Sequence, residues 1–291
     1  MKLTTVNSDG RETAAIWTPQ GVLLLETLKR QYGQTWPTEM LPLIQSGQLP
    51  KLQEWYQAEV QQRPEALMQH VTPVEQVQFA PLYRTPSKIW GIGLNYREHA
   101  ADLSEKTPTT EPASFMKPDT TIIGDQETIQ IPVQSQRTTA EAELGVIIGT
   151  RCKDVAREHW RSVVAGFTTI IDMTAEDILR KNPRYLTMSK SFDTFFSVGP
   201  LLLTPDEIDD VMALQVSTVI NGRVHASNRV ANMTFPPDFL VAFHSEIMTL
   251  LPGDIISTGT PGATPIQEGD TVECRIDGFE SLVNPVKDLK T

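Results

Sequence analysis

Three acidic residues have the types and spacing of a metal site. Glu141 and Glu143 lie two residues apart where AEAELGVIIG becomes apolar, and Asp172 ends the apolar run GFTTIID. Strand residues two apart share a face, so both glutamates point the same way, with Cβ atoms ~7 Å apart. Like charges this close raise each other's pKa unless a cation neutralises them. An isolated E-x-E is most simply an exposed pair at a strand start; the third acid favours a site.

The ligand set predicts which ion would bind. Carboxylates without a neighbouring histidine or cysteine suit a hard, oxygen-preferring ion, so we expect Mg²⁺, with Mn²⁺ or Ca²⁺ as alternatives to it, rather than zinc. Three protein ligands leave ~3 octahedral positions for water and substrate oxygens, which is typical of a catalytic ion.

The elements that must position these acids are mostly strands. From Ile89 onward, short apolar or alternating runs are bounded by Gly, Pro, Asn and Asp, and helical patterns are fewer. This spacing lacks the regular alternation of a doubly wound sheet and predicts a mixed, largely β architecture. Asp172 is expected at a strand end, before a helix capped by Thr174. Residues 1–80 predict a small N-terminal domain, ahead of a catalytic domain at residues 81–291.

Composition argues against several classes of protein. The net charge of −11 and the pI near 5.0 argue against a nucleic-acid partner, which requires clustered Lys and Arg. No apolar stretch approaches the ~20 residues of a membrane span, and the first residues carry no secretory pattern. Two cysteines in 291 residues do not hold the fold together, so we expect a cytoplasmic protein.

Seven segments occur in the order and spacing of a known family. They are IGLNYREHAADL, FMKPDT, AEAELGVIIG, IIDMTAED, LTMSKSFDTFFSVGP, VINGR and MTLLPGDIISTGTP. Over roughly residues 86–290 the chain resembles the fumarylacetoacetate hydrolase family, and residues 1–80 are similar to the small N-terminal domain of many bacterial members. The resemblance implies an α+β, mostly β fold, namely a mixed β-sandwich roll with a small N-terminal α/β domain, in a homodimer. It also implies a metal on Glu141, Glu143 and Asp172.

The same resemblance implies roles for other residues. Lys190 in LTMSKSF is similar to a family lysine that stabilises a developing enolate or oxyanion. His99 and Asp102 stand where the family has a His–Glu dyad that orients and deprotonates water. Lys117 and Thr260 resemble family residues that bind substrate. Without the resemblance, Lys190 would be interpreted as a surface lysine, His99 as a histidine on a helix surface, and Thr260 as part of a tight turn.

Two positions depart from the family pattern. Glu176 replaces an arginine that clamps a substrate carboxylate, and Ala226 or a neighbour replaces a substrate-side glutamine. An acid at position 176 should repel a second substrate carboxylate, unless Arg97, Arg180 or Arg184 replaces the missing arginine.

The sequence therefore predicts a Mg²⁺-dependent hydrolase or lyase. Its substrate would be a small 2-oxo or diketo acid, cleaved at the C–C bond adjacent to a carbonyl. Two alternatives use the same site: an oxaloacetate-type 2-oxo acid decarboxylase and an enol–keto isomerase. A third is a catalytically quiet, metal-containing binding protein. No nucleic-acid or membrane partner is expected.

Overall fold

The computed structural model describes residues 1–96 and 108–290. The strands are β1 (Lys2–Ser8), β2 (Arg11–Thr18), β3 (Gly21–Leu24), β4 (Gln78–Ala80), β5 (Ile89–Gly93), β6 (Ala113–Lys117), β7 (Ile122–Ile123), β8 (Ile129–Ile131), β9 (Thr138–Ile148), β10 (Val164–Ala175), β11 (Phe196–Val198), β12 (Leu201–Leu203), β13 (Gln215–Ile220), β14 (Arg223–Arg229), β15 (Ile255–Ser257), β16 (Thr264–Pro265), β17 (Thr271–Ile276) and β18 (Leu282–Asp288). The α-helices are α1 (Leu25–Tyr32), α2 (Met40–Gln45), α3 (Leu49–Gln62), α4 (Pro64–Met68), α5 (Glu176–Lys181), α6 (Leu186–Lys190) and α7 (Pro237–Ile247). Across the described ranges, none of the helices has the length and apolar character needed to cross a membrane.

These strands form two sheets. The larger has the order β3-β2-β1-β12-β10-β9-β15-β5-β6, with β4, β7, β11 and β16 pairing alongside this path. The smaller has the order β14-β13-β17-β18-β8. The two sheets share one hydrophobic core. This architecture confirms the predicted α+β, mostly β fold.

The antiparallel strands β9 and β10 lie at the centre of the larger sheet, and every residue in both is buried. Side chains alternate between the two faces of a strand. Leu144 packs in the same cluster as Cys274 of the smaller sheet. Ile147 packs in a second cluster with the N-terminal helices. Glu141 and Glu143 alternate in phase with Ile147, so they lie on the face away from the smaller sheet.

Asp172 lies inside β10 rather than at its end. The strand continues to Ala175, and α5 begins at Glu176 without a side-chain cap. Pairing with β9 extends to the Ala175–Thr138 pair, so the ladder carries the extended backbone past the aspartate. The expectations that Asp172 ends the strand and that Thr174 caps the helix are therefore wrong.

The N-terminal strands join the larger sheet. β1 pairs with β12, aligning Lys2 with Leu203, and β12 pairs with β10 through Phe167. The sheet is thus continuous from residues 2–24 to the strand that carries Asp172. The domain boundary at residue 80 stays a prediction.

Candidate metal centre and active site

The three predicted metal ligands converge in the structure. Asp172 is paired with Glu141 across the β9–β10 ladder, and Glu143 follows two residues along the same face. Each residue offers one carboxylate oxygen, and these oxygens lie within 4.8 Å of one another. All three residues are buried. The central strands β9 and β10 therefore bring together three carboxylates of the type that hard metal ions prefer.

Glu143 is fixed by the segment that follows β15. Its Oε2 accepts hydrogen bonds from Ser257 Oγ at 2.5 Å and from the backbone N of Gly259 at 2.8 Å. Gly259 has φ +97°, and a Cβ there would lie 2.7 Å from Cβ of Asn95, so this position requires glycine. Burial, reinforced by the carboxylates of Asp172 and Glu141, raises the pKa of Glu143 to about 8.

Glu141 is held from two sides. Thr174 Oγ1 donates a hydrogen bond to Oε1 at 2.5 Å, while Nζ of Lys190 donates to Oε2 at 3.1 Å. Thr139 Oγ1 lies farther from Oε1, at 3.4 Å. Both threonines lie on the same face as Glu141. Thr139 precedes Glu141 by two residues on β9, and Thr174 follows Asp172 by two residues on β10.

Two buried lysines balance much of the acidic charge. Lys190 Nζ donates to Asp172 Oδ2 at 2.5 Å, and Lys117 Nζ lies 2.7 Å from Asp172 Oδ1 and also donates to the backbone carbonyl of Lys190. Burial alone would lower the pKa of Lys190, but the three carboxylates outweigh it and raise that pKa, so the ammonium stays charged. Burial lowers the pKa of Lys117 despite the attraction of Asp172. For Asp172, the two ammonium groups outweigh burial and hold its pKa below the usual range.

These residues fit a divalent ion. When all three carboxylates are ionised, they and the two ammonium groups carry one net negative charge, and a divalent ion would convert that to one positive charge. Asp172 Oδ1 is buried and forms an ion pair with Lys117, and it has no other partner among the described residues, so its second lone pair remains for another contact. The chemistry of the donor set suits Mg²⁺ or Mn²⁺.

A cavity of about 500 Å³ opens beside this centre. Its polar lining includes Glu141 and Lys190, and the ring of Phe115 lies under the ammonium, with Nζ 4.9 Å from the ring centroid. Further lining residues are Ile92, Gly93, Leu94, Ala113, Thr139, Thr174, Glu176, Leu179, Arg180, Pro183, Leu186, Thr260 and Ala263. The cavity thus combines an apolar wall with a charged floor, as small-molecule sites generally do.

The other predicted site residues differ in whether they reach this cavity. Thr260 lines the cavity, as a substrate-binding residue would. Lys117 is not among the lining residues and is buried against Asp172, a position that favours holding the aspartate over contacting substrate. His99 and Asp102 lie outside the described residues, so their dyad stays a prediction.

Several contacts were not anticipated from the sequence. Thr174 had a local signal, because it follows Asp172 by two residues and shares its face. Ser257 had none, because its contact with Glu143 depends on the pairing of two strands more than 100 residues apart. Arg137 and Arg180 both bind Glu176. Glu176 and Arg180 are four residues apart on a helix, and this spacing predicts the contact between them.

Comparisons with known proteins identify the family of this chain. The family described as fumarylacetoacetate (FAA) hydrolase, C-terminal, matches residues 88–287. The human oxaloacetate tautomerase FAHD2B, mitochondrial, is 31% identical over 264 residues, covering 88% of this chain and 82% of that protein.

Two solved structures are also similar. A 2-hydroxyhepta-2,4-diene-1,7-dioate isomerase from Mycobacterium marinum is 34% identical, with a TM-score of 0.68 over 76% of this chain and 81% of that one. Maleylpyruvate hydrolase from Sphingobium sp. SYK-6, in complex with manganese(II) and pyruvate, is 26% identical, with a TM-score of 0.79 over 99% of both chains. Because the family match covers most of the chain and includes Glu141, Glu143 and Asp172, this protein belongs to the fumarylacetoacetate hydrolase family.

Proposed function

We propose that this protein is a Mg²⁺- or Mn²⁺-dependent hydrolase that cleaves the C–C bond next to a carbonyl in a small 2-oxo or diketo acid. The observation that carries the proposal is the position of Lys190. Its ammonium contacts two members of the acidic triad and lines the adjacent cavity. A purely structural ion site needs no buried cation facing a cavity, and this argues against a quiet binding protein.

The charges of the site suit such chemistry. A divalent ion held by Glu141, Glu143 and Asp172 would polarise a substrate carbonyl and orient its oxygens. Lys190 donates a hydrogen bond to the oxygen on which negative charge develops when the C–C bond breaks or a neighbouring proton leaves. The apolar wall of Phe115 and neighbouring side chains lowers the local dielectric, and this strengthens the interaction of that charge with the ammonium. His99 with Asp102 would orient the attacking water.

The likeness to maleylpyruvate hydrolase supports hydrolysis, because it extends over 99% of both chains and so includes the N-terminal residues. A second candidate is keto–enol tautomerisation of oxaloacetate. It is favoured by the sequence similarity to the human tautomerase, which covers 88% of this chain. Both reactions develop negative charge on the oxygen of a 2-oxo acid, so both use Lys190 in the same way.

One set of assays separates the candidates. The protein is loaded with Mg²⁺ or Mn²⁺ and incubated in D₂O with pyruvate, with acetylpyruvate and with enol-oxaloacetate, and products are followed by NMR. Hydrolysis predicts acetate and pyruvate from acetylpyruvate. Tautomerisation without cleavage would favour the second candidate, and no deuterium uptake or turnover of any of these acids would count against both.

A substitution tests the role of Lys190. Lys190→Met should lower turnover by ~10²-fold or more while leaving metal affinity within a few-fold, the scale seen on removing one oxyanion donor. Lys181→Met is the matched control, because Lys181 is exposed and does not line the cavity. Equal activities of the Lys190 variant and the control would remove Lys190 from the reaction.

A further inference from the structure

Glu176 is a buried acid on the cavity wall with two cationic partners. It is 7% exposed. Arg180 donates to its Oε1 from Nε at 3.0 Å and from Nη2 at 2.6 Å, and Arg137 donates to its Oε2 from Nε. Two guanidinium groups on one carboxylate leave an excess of one positive charge. The negative charge at position 176 is therefore already neutralised, and the three side chains together carry one positive charge.

Arg180 keeps hydrogen-bonding capacity for a further anion. A guanidinium has five N–H donors, and the bonds to Glu176 engage Nε and Nη2. Its side chain is 62% exposed although one edge is fixed by the buried carboxylate. A guanidinium held in this way is oriented before a ligand arrives, and it matches the planar shape of a carboxylate.

Arg180 and the acidic triad occupy different parts of one cavity. Arg180, Glu176, Glu141 and Lys190 all line it. Glu176 comes directly after β10, and the strand from Asp172 to its last residue, Ala175, spans ~10 Å between Cα atoms at the usual strand rise. With a divalent ion bound, the cavity would therefore carry positive charge at two places, the acidic triad and Arg180.

We propose that Arg180, positioned by Glu176 and supported by Arg137, binds a carboxylate at the far end of the substrate, so that the enzyme prefers dicarboxylic 2-oxo acids. The inference rests on the proposed function, because the 2-oxo end of the substrate is taken to bind at the triad. It replaces the sequence-based expectation that Glu176 repels a second carboxylate, since the acid acts here by holding Arg180. Arg180 is a specificity-determining residue, and Glu176 is a positioning residue.

Binding provides the first test. Calorimetry with the Mn²⁺-loaded protein compares 2-oxoglutarate with 5-methyl-2-oxohexanoate, whose distal isopropyl group is close in size to the carboxylate and carries no charge. 2-Oxoglutarate should bind ~10- to 100-fold more tightly, the scale of a charge-assisted bidentate pair. Arg180→Met should abolish this preference by weakening 2-oxoglutarate alone, and Arg180→Lys should restore only part of it. Arg184→Met is the matched control, because Arg184 is exposed on the same segment and does not line the cavity.

Glu176→Gln distinguishes positioning from repulsion. The variant keeps the size of the side chain but removes the charge that fixes Arg180, so the affinity for 2-oxoglutarate should fall by about tenfold while that for 5-methyl-2-oxohexanoate is unchanged. On an accepted dicarboxylate substrate, Arg180→Met should raise KM with kcat within about twofold, because the lost contact is made equally in the ground and transition states. Tighter binding of 2-oxoglutarate by Glu176→Gln would overturn the inference and restore the repelling acid.

The two proposals fail in different ways. Turnover of 2-oxo acids without a dicarboxylate preference, or no binding of 2-oxoglutarate by the loaded protein, would overturn the inference and leave the proposed function standing. A dicarboxylate preference that Arg180→Met abolishes, in a protein that turns over none of the acids, would support the inference and contradict the proposed function.

Discussion

Asp172 faces Glu141 directly across the β9–β10 ladder, and the same ammonium, that of Lys190, donates a hydrogen bond to both. Two of the three candidate ligands are therefore placed by strand register and joined by one cation. A site built on paired central strands holds its geometry more closely than a site on loops. The effect of each neighbouring residue on this centre should consequently be measurable by single substitutions.

Glu143→Gln should abolish the thermal stabilisation that Mg²⁺ or Mn²⁺ gives to the protein. A ligand at ~100 times its Kd stabilises the folded state by ~2.7 kcal/mol, and the amide is a poor ligand for these ions. Thermal unfolding is measured with and without metal, and Glu75→Gln, at an exposed position, is the control. An undiminished metal-induced shift in the Glu143 variant would remove the metal assignment.

Metal binding should release a proton at pH 7. Burial and the neighbouring acids raise the pKa of Glu143 to about 8, so without metal this carboxyl is protonated at pH 7 and must deprotonate to become a ligand. The apparent affinity for Mn²⁺ should therefore rise with pH, by up to about tenfold per pH unit, and level off above about pH 8. Calorimetry in two buffers of different ionisation enthalpy should report close to one proton released. Identical binding enthalpies in both buffers would contradict this.

Thr174→Val should weaken metal binding although Thr174 is not a ligand. Its hydroxyl donates to Glu141 Oε1 at 2.5 Å, and the loss of a residue that orients a ligand typically lowers metal affinity ~10- to 100-fold. Thr139→Val is a matched control, because Thr139 is its cross-strand partner and its hydroxyl is 3.4 Å from the same oxygen. Titration with Mn²⁺ should show a clearly larger loss for Thr174→Val, and equal losses would mean that the contact does not orient Glu141.

Gly259→Ala should destabilise the protein more than Gly269→Ala. Both glycines have positive φ, +97° and +80°, so both substitutions carry a backbone cost of about 1–2 kcal/mol. At Gly259 the new Cβ also meets Asn95, whereas at Gly269 no atom of residues 1–96 or 108–290 lies within 4 Å. Denaturant unfolding should therefore separate the two variants, and Gly259→Ala should also weaken Mn²⁺ binding because the Gly259 amide holds Glu143. Equal stability of the two variants would contradict the predicted clash.

The acidic triad could be predicted because its signals are local. Glu141 and Glu143 share a face by strand periodicity, and Asp172 interrupts an apolar run. The end of β10 was misplaced, because its extension to Ala175 depends on pairing with β9, and no local preference reports that pairing. The sequence shows Glu176 as a departure from the family pattern and offers Arg180 as a replacement clamp, but it gives no sign of Arg137, which reaches Glu176 from the residue just before β9, 39 residues earlier. Contacts of this kind depend on which distant strands pair and in which register, and a single sequence carries no local pattern that reports this pairing.

The continuity of the larger sheet has a consequence for how the protein unfolds. β1 is hydrogen-bonded to β12, and β12 to β10, so removing residues 1–24 would expose the edge of a strand next to the one that carries Asp172. Unfolding of the N-terminal residues and of the metal centre should therefore be one cooperative event. An ion bound only by β9 and β10 would then raise the melting temperature of the N-terminal helices as much as that of its own strands, although it touches none of them.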